Sequence, residues 1–465
     1  MIHVIGGGLA GCEAAWQAAR AGADVTLHEM RPVRPTLVHK TDHLAELVCS
    51  NSFRGDKLDN AVGLLKEEMR RLDSLVMAAA EVARVPAGAA LAVDREVFSR
   101  EVMARLAAQP RIQLRREEVA ALPEPSPAGD AVIVATGPLT SDALSQAIQR
   151  FVGEEHLAFY DAISPIVLAD SIDRTVVFRQ SRWGRSLGGD PSRAGGAGPA
   201  PAAQPEAPGV ACGVDDGEGD YLNCPLTRDE YDAFYDALVA AESASIHDFD
   251  SVQFFEGCLP IEVMAHRGRE TLRFGPMKPV GLEDPRTGRR PYAAVQLRQD
   301  TIAGDHYSLV GFQTQLKWGE QARVLKMIPG LAGAEFVRFG MVHRNTFICG
   351  PKVLLPTWQT RTRPDLLFAG QISGVEGYVE SAASGLVAGR NAARIVAGHA
   401  PLTPPRTTAI GALAHYASHA DPAHYQPSNI TFGIMPPLEQ PPRDKARRKQ
   451  ALADRALADL DAWSR

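Results

Sequence analysis

Three glycines near the amino terminus, Gly6, Gly8 and Gly11, have the spacing of a strand-to-helix turn that cradles a pyrophosphate. Gly6 permits the turn, Gly8 lets the backbone approach the phosphates, and Gly11 allows a helix to pack closely on the sheet. With Gly7, Leu9 and Ala10 between them, the segment would present N–H groups at a helix N-terminus to the anion. Glu29 ends the next apolar run and can accept hydrogen bonds from a ribose diol. A glycine-rich turn without a ligand, or a methyl donor held through its adenosine, are the competing readings. Metal chemistry is not expected. The six cysteines stand at 12, 49, 212, 224, 258 and 349, so no CxxC pair or zinc knuckle exists. His415 and His419 share helical spacing but have neither an HExxH motif nor a partner acid.

The elements that would position this turn are legible. Ile2–Ile5 reads as a strand, followed by an Ala-rich helix that Gly22 ends, and then by a strand over Asp24–His28. Ala131–Val134 is a second buried-strand run, ending in Ala135-Thr136-Gly137. Far along the chain, Leu366-Leu367-Phe368-Ala369-Gly370 repeats the pattern and leads through Gln371, Gly374 and Val375 to another Ala/Gly-rich helix. Flavoproteins use such a second segment to return to the cofactor, and a helix N-terminus there favours negative charge on a reduced flavin ring. A nicotinamide site needs no such segment, so FAD is the dinucleotide expected. The fold class is α/β, a Rossmann-type FAD-binding domain interrupted by a smaller inserted α+β domain. Its expected division is 1–180, the inserted domain 181–320, a return segment 321–440 and a basic tail 441–465. Residues 60–76 read as one amphipathic helix, with Lys66, Glu67, Glu68, Arg70 and Arg71 on its polar face.

The 465 residues are 45% hydrophobic and 22% charged, with a formal charge of −6, which excludes wholesale disorder and a globally basic coat for nucleic acid. Residues 185–210 contain six Gly and five Pro, and are expected to form a flexible surface segment. The tail, rich in Arg and Lys from 443 to 449, reads as a solvated helix or an RNA-contacting one. No apolar run is long enough to span a membrane, and neither a leader segment nor disulfides are expected, which suggests a cytoplasmic protein.

Several longer strings carry a family resemblance: Glu29-Met30-Arg31-Pro32, Leu47-Val48-Cys49-Ser50-Asn51-Ser52, Ala135-Thr136-Gly137-Pro138-Leu139-Thr140, Tyr221-Leu222-Asn223-Cys224-Pro225, Phe254-Phe255-Glu256-Gly257-Cys258-Leu259-Pro260, Phe274-Gly275-Pro276-Met277-Lys278-Pro279 and Val375-Glu376-Gly377-Tyr378-Val379-Glu380-Ser381. Over residues 1 to about 440 the chain resembles the folate- and FAD-dependent tRNA (uracil-5-)-methyltransferases, the TrmFO family. The resemblance weakens at 185–210 and after 440. It is similar more distantly to the GidA (MnmG) proteins, which carry an extra helical domain. The resemblance implies C5-methylation of uridine 54 in the tRNA T-loop. The carbon would come from 5,10-methylenetetrahydrofolate through reduced FAD, with electrons from NADH or NADPH.

Uracil C5 is a poor nucleophile, and a thiolate added at C6 would activate it. Cys224 and Cys49 match positions the family treats as functional. Cys224, before Pro225 and therefore expected at a turn, is the favoured nucleophile. Cys49, in a loop near the flavin, would assist proton removal. Cys12 is expected to be a buried structural residue and Cys212 incidental. His343 is a candidate to cover the folate ring and Arg344 to hold its acidic tail. Gly137 joins the cofactor-binding set. Candidate RNA contacts are Arg31, Arg34, Lys40, Arg54, Lys278 and Arg298. Two other functions fit the same fold: an FAD-dependent oxidoreductase acting on a small molecule, and a tRNA-binding flavoprotein without methyltransferase activity.

Overall fold

A computed structural model describes residues 1–36, 38–153, 157–162, 164–184, 219–243, 259–340 and 342–464. The segment 185–210, Cys212, Cys258 and the string Phe254–Gly257 lie outside the described residues. The apolar runs of the first domain become a five-stranded parallel sheet in the order Leu366–Phe368, Ala131–Val134, Ile2–Ile5, Val25–Glu29, Ile112–Arg116. Strands buried on both faces read as continuous aliphatic sequence, and Ala131–Val134 is buried at every position. The helix Leu9–Arg20 follows the glycine turn and is crossed by the helix Tyr378–Val396. Gly385 and Gly389 permit that crossing, because a Cβ on either would stand 2.1 or 2.3 Å from the carbonyl oxygen of Ala10 or Ala14.

The second body is a six-stranded antiparallel sheet in the order Phe178–Arg179, Tyr221–Leu226, Ala293–Gln299, His306–Leu309, Ile166–Leu168, Phe336–Arg338. It has its own apolar core, which includes Val167, Leu222, Tyr231, Phe234, Leu297 and Phe312. Its strands extend from Ile166 to Arg338, so the expected limits of 181 and 320 fall inside it. Both end strands pair within this sheet and cannot belong to the parallel one. The chain crosses between the two bodies through an antiparallel pair, Leu157–Ala162 with Val342–Phe347.

The expected single helix over 60–76 is two helices, Ala61–Arg71 and Leu75–Val82. Asp73 turns the chain with φ of 56°, and the Ser74 side chain caps the second helix through the Met77 N–H. Two charges assigned to the polar face are fully buried. Lys66 Nζ donates to the carbonyls of Phe53, Arg54 and Gly55 at 2.9, 3.1 and 2.6 Å, and burial pushes its pKa down to about 7. Glu68 accepts the N–H groups of Ala409 and Ile410, which open the helix Ala409–His419, while burial pushes its pKa up to about 8.

The tail also differs from expectation. It forms the helix Lys445–Trp463, whose Ala453, Ala456, Leu457 and Leu460 join the core of the first domain while Leu452 is also buried, and Arg71 meets Asp461 at 2.8 Å. Burying one leucine contributes roughly 1.5–3 kcal/mol. Removal of residues 441–465 should therefore lower the thermal midpoint by several degrees and expose dye-binding apolar surface. An unchanged melting curve would show that the helix is dispensable packing.

Candidate active site

The glycine turn is built as the spacing requires. Gly6 has φ of +107°, and a Cβ there would stand 2.6 Å from the Ala135 carbonyl oxygen. A Cβ on Gly11 would stand 1.8 Å from the Gly6 carbonyl oxygen, so helix and strand touch through glycine alone. Around Gly8 nothing lies within 4 Å of an added Cβ, because that side faces an open cleft. Gly6, Gly7, Gly8, Leu9 and Ala10 line this cleft with Glu29, Gly137, Gly370 and Gln371, around about 1010 Å³ of space.

Glu29 is nearly fully buried, and its Oε2 accepts the Gly7 N–H at 2.9 Å. Its Oε1 accepts both the backbone N–H and the Nε of Arg31, each at 2.9 Å. Burial alone would raise its pKa, but Arg31 outweighs burial and holds the carboxylate ionised. A carboxylate offers about four lone-pair sites, and these bonds leave capacity for ribose hydroxyls. Three expected cofactor residues do not line the cleft: Gly11, which packs the helix on the Gly6 carbonyl, and Gly374 and Val375. A Cβ on Gly374 would meet the Tyr425 hydroxyl at 2.0 Å, and Val375 is buried in the core, so both shape the turn beneath Gln371. Glu117, Glu118 and Val119 do line it, after the strand Ile112–Arg116. Only the rule that ligands sit beyond the carboxyl ends of parallel strands could have pointed to them. The open side of Gly8, the uncapped helix start and the second segment at Gly370–Gln371 together fit a flavin dinucleotide.

A second cavity adjoins the first and shares Val48, Pro138, Gln371, Tyr378 and Ser381 with it. It surrounds about 1220 Å³, and its walls include Cys49, Ser50, Arg54, Arg95, Arg298 and Gln313. Both domains pin the Cys49 loop. Tyr378 Oη accepts the N–H groups of Cys49 and Ser50 at 2.8 and 3.1 Å. Arg95 donates to the carbonyls of Leu47 and Cys49 and pairs with Asp300 at 3.0 Å. From the second sheet, Arg298 donates to Asn51 Oδ1 and to Ser50 Oγ, both at 2.8 Å. Asn51, itself fully buried, donates to the carbonyls of Val93 and Gln299. Burial alone would lower the Arg95 pKa, but Asp300 outweighs it. Tyr378 stands in a string that carries the family resemblance but was given no role, and Arg95 carries no motif; their parts appear only once the loop is folded.

Cys224 is not at a turn. It lies inside the strand Tyr221–Leu226, is fully buried, and packs with Leu222 and Leu226 in the second core. The sheet register explains this. Tyr221 lies opposite Arg298, whose side chain reaches the Cys49 loop, whereas Cys224 lies opposite Val295, three positions away and on the other face. Burial pushes its thiol pKa far up. The cavity therefore holds Cys49, and Cys224 belongs to the core behind the sheet. Cys12 is fully buried on the first helix, with its thiol donating to the Gly7 carbonyl. His343 and Arg344 lie on the strand Val342–Phe347, but their side chains are outside the described set. Of the candidate RNA contacts, Arg31 is committed to Glu29 and Glu46, and Arg298 is buried. Arg54 lines the second cavity and pairs with Glu380, while Arg34 pairs with Glu118. Among the described residues no His/Cys/Asp/Glu cluster could hold a metal, and no helix is long and apolar enough to cross a membrane.

Comparisons with known proteins agree with this geometry. The family model described as "Glucose inhibited division protein A" matches residues 1–188 and 211–400. The chain is 58% identical over 462 residues to the methylenetetrahydrofolate--tRNA-(uracil-5-)-methyltransferase TrmFO of Pelotomaculum thermopropionicum, covering 99% of this chain and 98% of that one. The protein of the same name from Symbiobacterium thermophilum is 58% identical over 467 residues, covering 100% and 97%. Among solved structures, Aquifex aeolicus GidA in one crystal form superposes with a TM-score of 0.66 at 16% identity, over 99% of this chain and 73% of that one.

Proposed function

Because the chain belongs to the TrmFO family, we propose that it methylates C5 of uridine 54 in the tRNA T-loop, with 5,10-methylenetetrahydrofolate as carbon donor. One observation carries this reading: a thiol-bearing loop lines a cavity that opens directly onto a dinucleotide cleft. FAD, held along Gly6–Ala10, Glu29, Gly137, Gly370 and Gln371, supplies one-carbon transfer and redox chemistry when bound and reduced by NADH or NADPH. The chain's own residues do the rest. Cys49 forms the bond to uracil C6, since it alone of the two candidate thiols reaches the cavity. Tyr378, Arg95, Arg298 and Asn51 hold its loop still, which matters because misplacing a reacting atom by about 1 Å costs on the order of 100-fold. The target base leaves the T-loop stack to enter.

The test is incubation with unmodified tRNA, methylenetetrahydrofolate and NADH or NADPH, followed by nucleoside analysis. Ribothymidine should appear at position 54 only when all components are present. Product that forms without folate, or no product with flavin-replete protein, would remove the reading. Binding to tRNA should weaken steeply with added salt, as phosphate contacts release counterions, despite the net charge of −6. Flat affinity would instead assign recognition to shape and stacking.

A further inference from the structure

Three aromatic rings at the end of the second sheet are stacked on one another. The ring centres of Phe336 and Phe339 are 5.1 Å apart with planes inclined by 22°, and Trp318 continues the stack from Phe339 at 6.2 Å and 19°. Phe336 belongs to the end strand of the sheet, Phe336–Arg338, and its ring packs against the second core. Trp318 opens the helix Trp318–Leu325. The two segments are tied together by Gln321 of that helix, which accepts the Gly340 N–H at 2.7 Å and donates to the Gly340 carbonyl at 2.9 Å. Gln321 is fully buried, so the rings are held in place from behind.

The core closes the inner end of the stack, whereas the outer end is open: Trp318 is 64% exposed. A packed aromatic side chain buries about 150–250 Å², so an indole held rigidly in water leaves a large contact area unused. With the planes nearly parallel and one face free, the group that extends the stack is another flat ring. Every nucleobase has such a face.

The charges favour the same partner. Around Trp318 they cancel in pairs, Lys317 with Glu242 and Arg323 with Glu320. Further in, Arg338 immediately precedes Phe339, and its buried Nε and Nη2 have no hydrogen-bond partner among the described residues. Arg95, Tyr378 and Cys49, which line the second cavity, stand near enough to act on its charge. Arg298, in the wall of that cavity, gives its hydrogen bonds to the neutral groups of Asn51 and Ser50. The stack thus leads from solvent toward a cavity bordered by positive charge. A polyanion carrying unpaired flat rings, a single-stranded RNA loop, fits this arrangement.

We propose that the free face of Trp318 stacks a base splayed out of the tRNA T-loop, beside the base that enters the cavity. This rests on the tRNA reading above and is independent of how the target base is activated.

The experiment separates stacking from charge and from folding. The probe is an unmodified T-arm stem-loop RNA, with a fully paired duplex of the same stem as control. Wild type, Trp318→Ala and Trp318→Phe are compared in their flavin-bound form. Trp318→Ala should weaken stem-loop binding by roughly 5- to 150-fold, the loss of one stacked base. The slope of log affinity against log salt should stay the same, because an uncharged contact releases no counterions. Trp318→Phe should recover most of the affinity, and duplex binding should be alike in all three. With 2-aminopurine placed at each loop position in turn, one position should be quenched by wild type and not by Trp318→Ala. Stem-loop affinity of Trp318→Ala within about twofold of wild type overturns the proposal. So does loss of FAD with a lowered melting temperature in both variants, which would make the indole structural. A raised KM for methylenetetrahydrofolate with RNA binding intact overturns it too, by making Trp318 a folate contact. Absence of stem-loop binding by wild type would instead refute the tRNA reading itself.

Discussion

Replacing Cys49 by alanine should reduce ribothymidine formation by about four orders of magnitude or more, with FAD still bound and still reducible. The backbone N–H and carbonyl of residue 49, which Tyr378 and Arg95 hold, are unchanged by the substitution. Cys224→Ala should retain methylation to within a few-fold and lose about 1 kcal/mol of stability, the common effect of trimming a core side chain. Cys224→Ser should be less stable than Cys224→Ala, since a hydroxyl would enter a site lined by Leu222 and Leu226. Trapping gives the decisive measurement. With 5-fluorouridine at position 54, wild type and Cys224→Ala should form a denaturant-resistant complex with tRNA, and Cys49→Ala should not. Were trapping to survive in Cys49→Ala and vanish in Cys224→Ala, the two thiols would be reversed, and the second domain would have to open its core during turnover.

That reversal is what the sequence suggests, and the reason it misleads is physical. A proline after Cys224 restricts the cysteine to extended backbone, which serves a turn or a strand equally. The strand tolerates Pro225 because its outer neighbour, Phe178–Arg179, pairs only with Leu222 and Asn223. Pro225 thus sits on an open edge, where its missing N–H costs nothing. The dinucleotide cleft was legible because its demands are local: glycine where a Cβ would strike backbone, and an acid at a strand end. The cavity around Cys49 was not, because it depends on register between strands far apart in sequence. Arg298 meets the Cys49 loop through a strand pairing that no local pattern encodes. The C-terminal helix was misjudged for a different reason. Its first turns are basic and drew attention from the stripe Leu452, Ala453, Ala456, Leu457, Leu460, whose spacing is that of a buried helical face.

Gly8→Val should give a folded, colourless protein. Gly8 has φ of −79° and ψ of −171°, an extended conformation open to any residue, and its added Cβ would meet no atom within 4 Å. The flavin-free protein should therefore melt as wild-type apoprotein does. FAD is another matter, since the valine would fill the space through which a pyrophosphate approaches the N–H groups of Leu9 and Ala10. Hydrogen bonds to a charged group are worth roughly 1.5–3 kcal/mol each. Losing two should raise the FAD dissociation constant by about 10²–10⁴-fold, read by titrating FAD into apoprotein and following its fluorescence. Gly11→Ala provides the contrast. Its Cβ would stand 1.8 Å from the Gly6 carbonyl oxygen, so the turn itself must give way, and stability should fall together with FAD affinity. If Gly8→Val bound FAD within about threefold of wild type, the phosphates would not lie against this turn. The cleft between Glu29 and Gln371 would then need a different occupant.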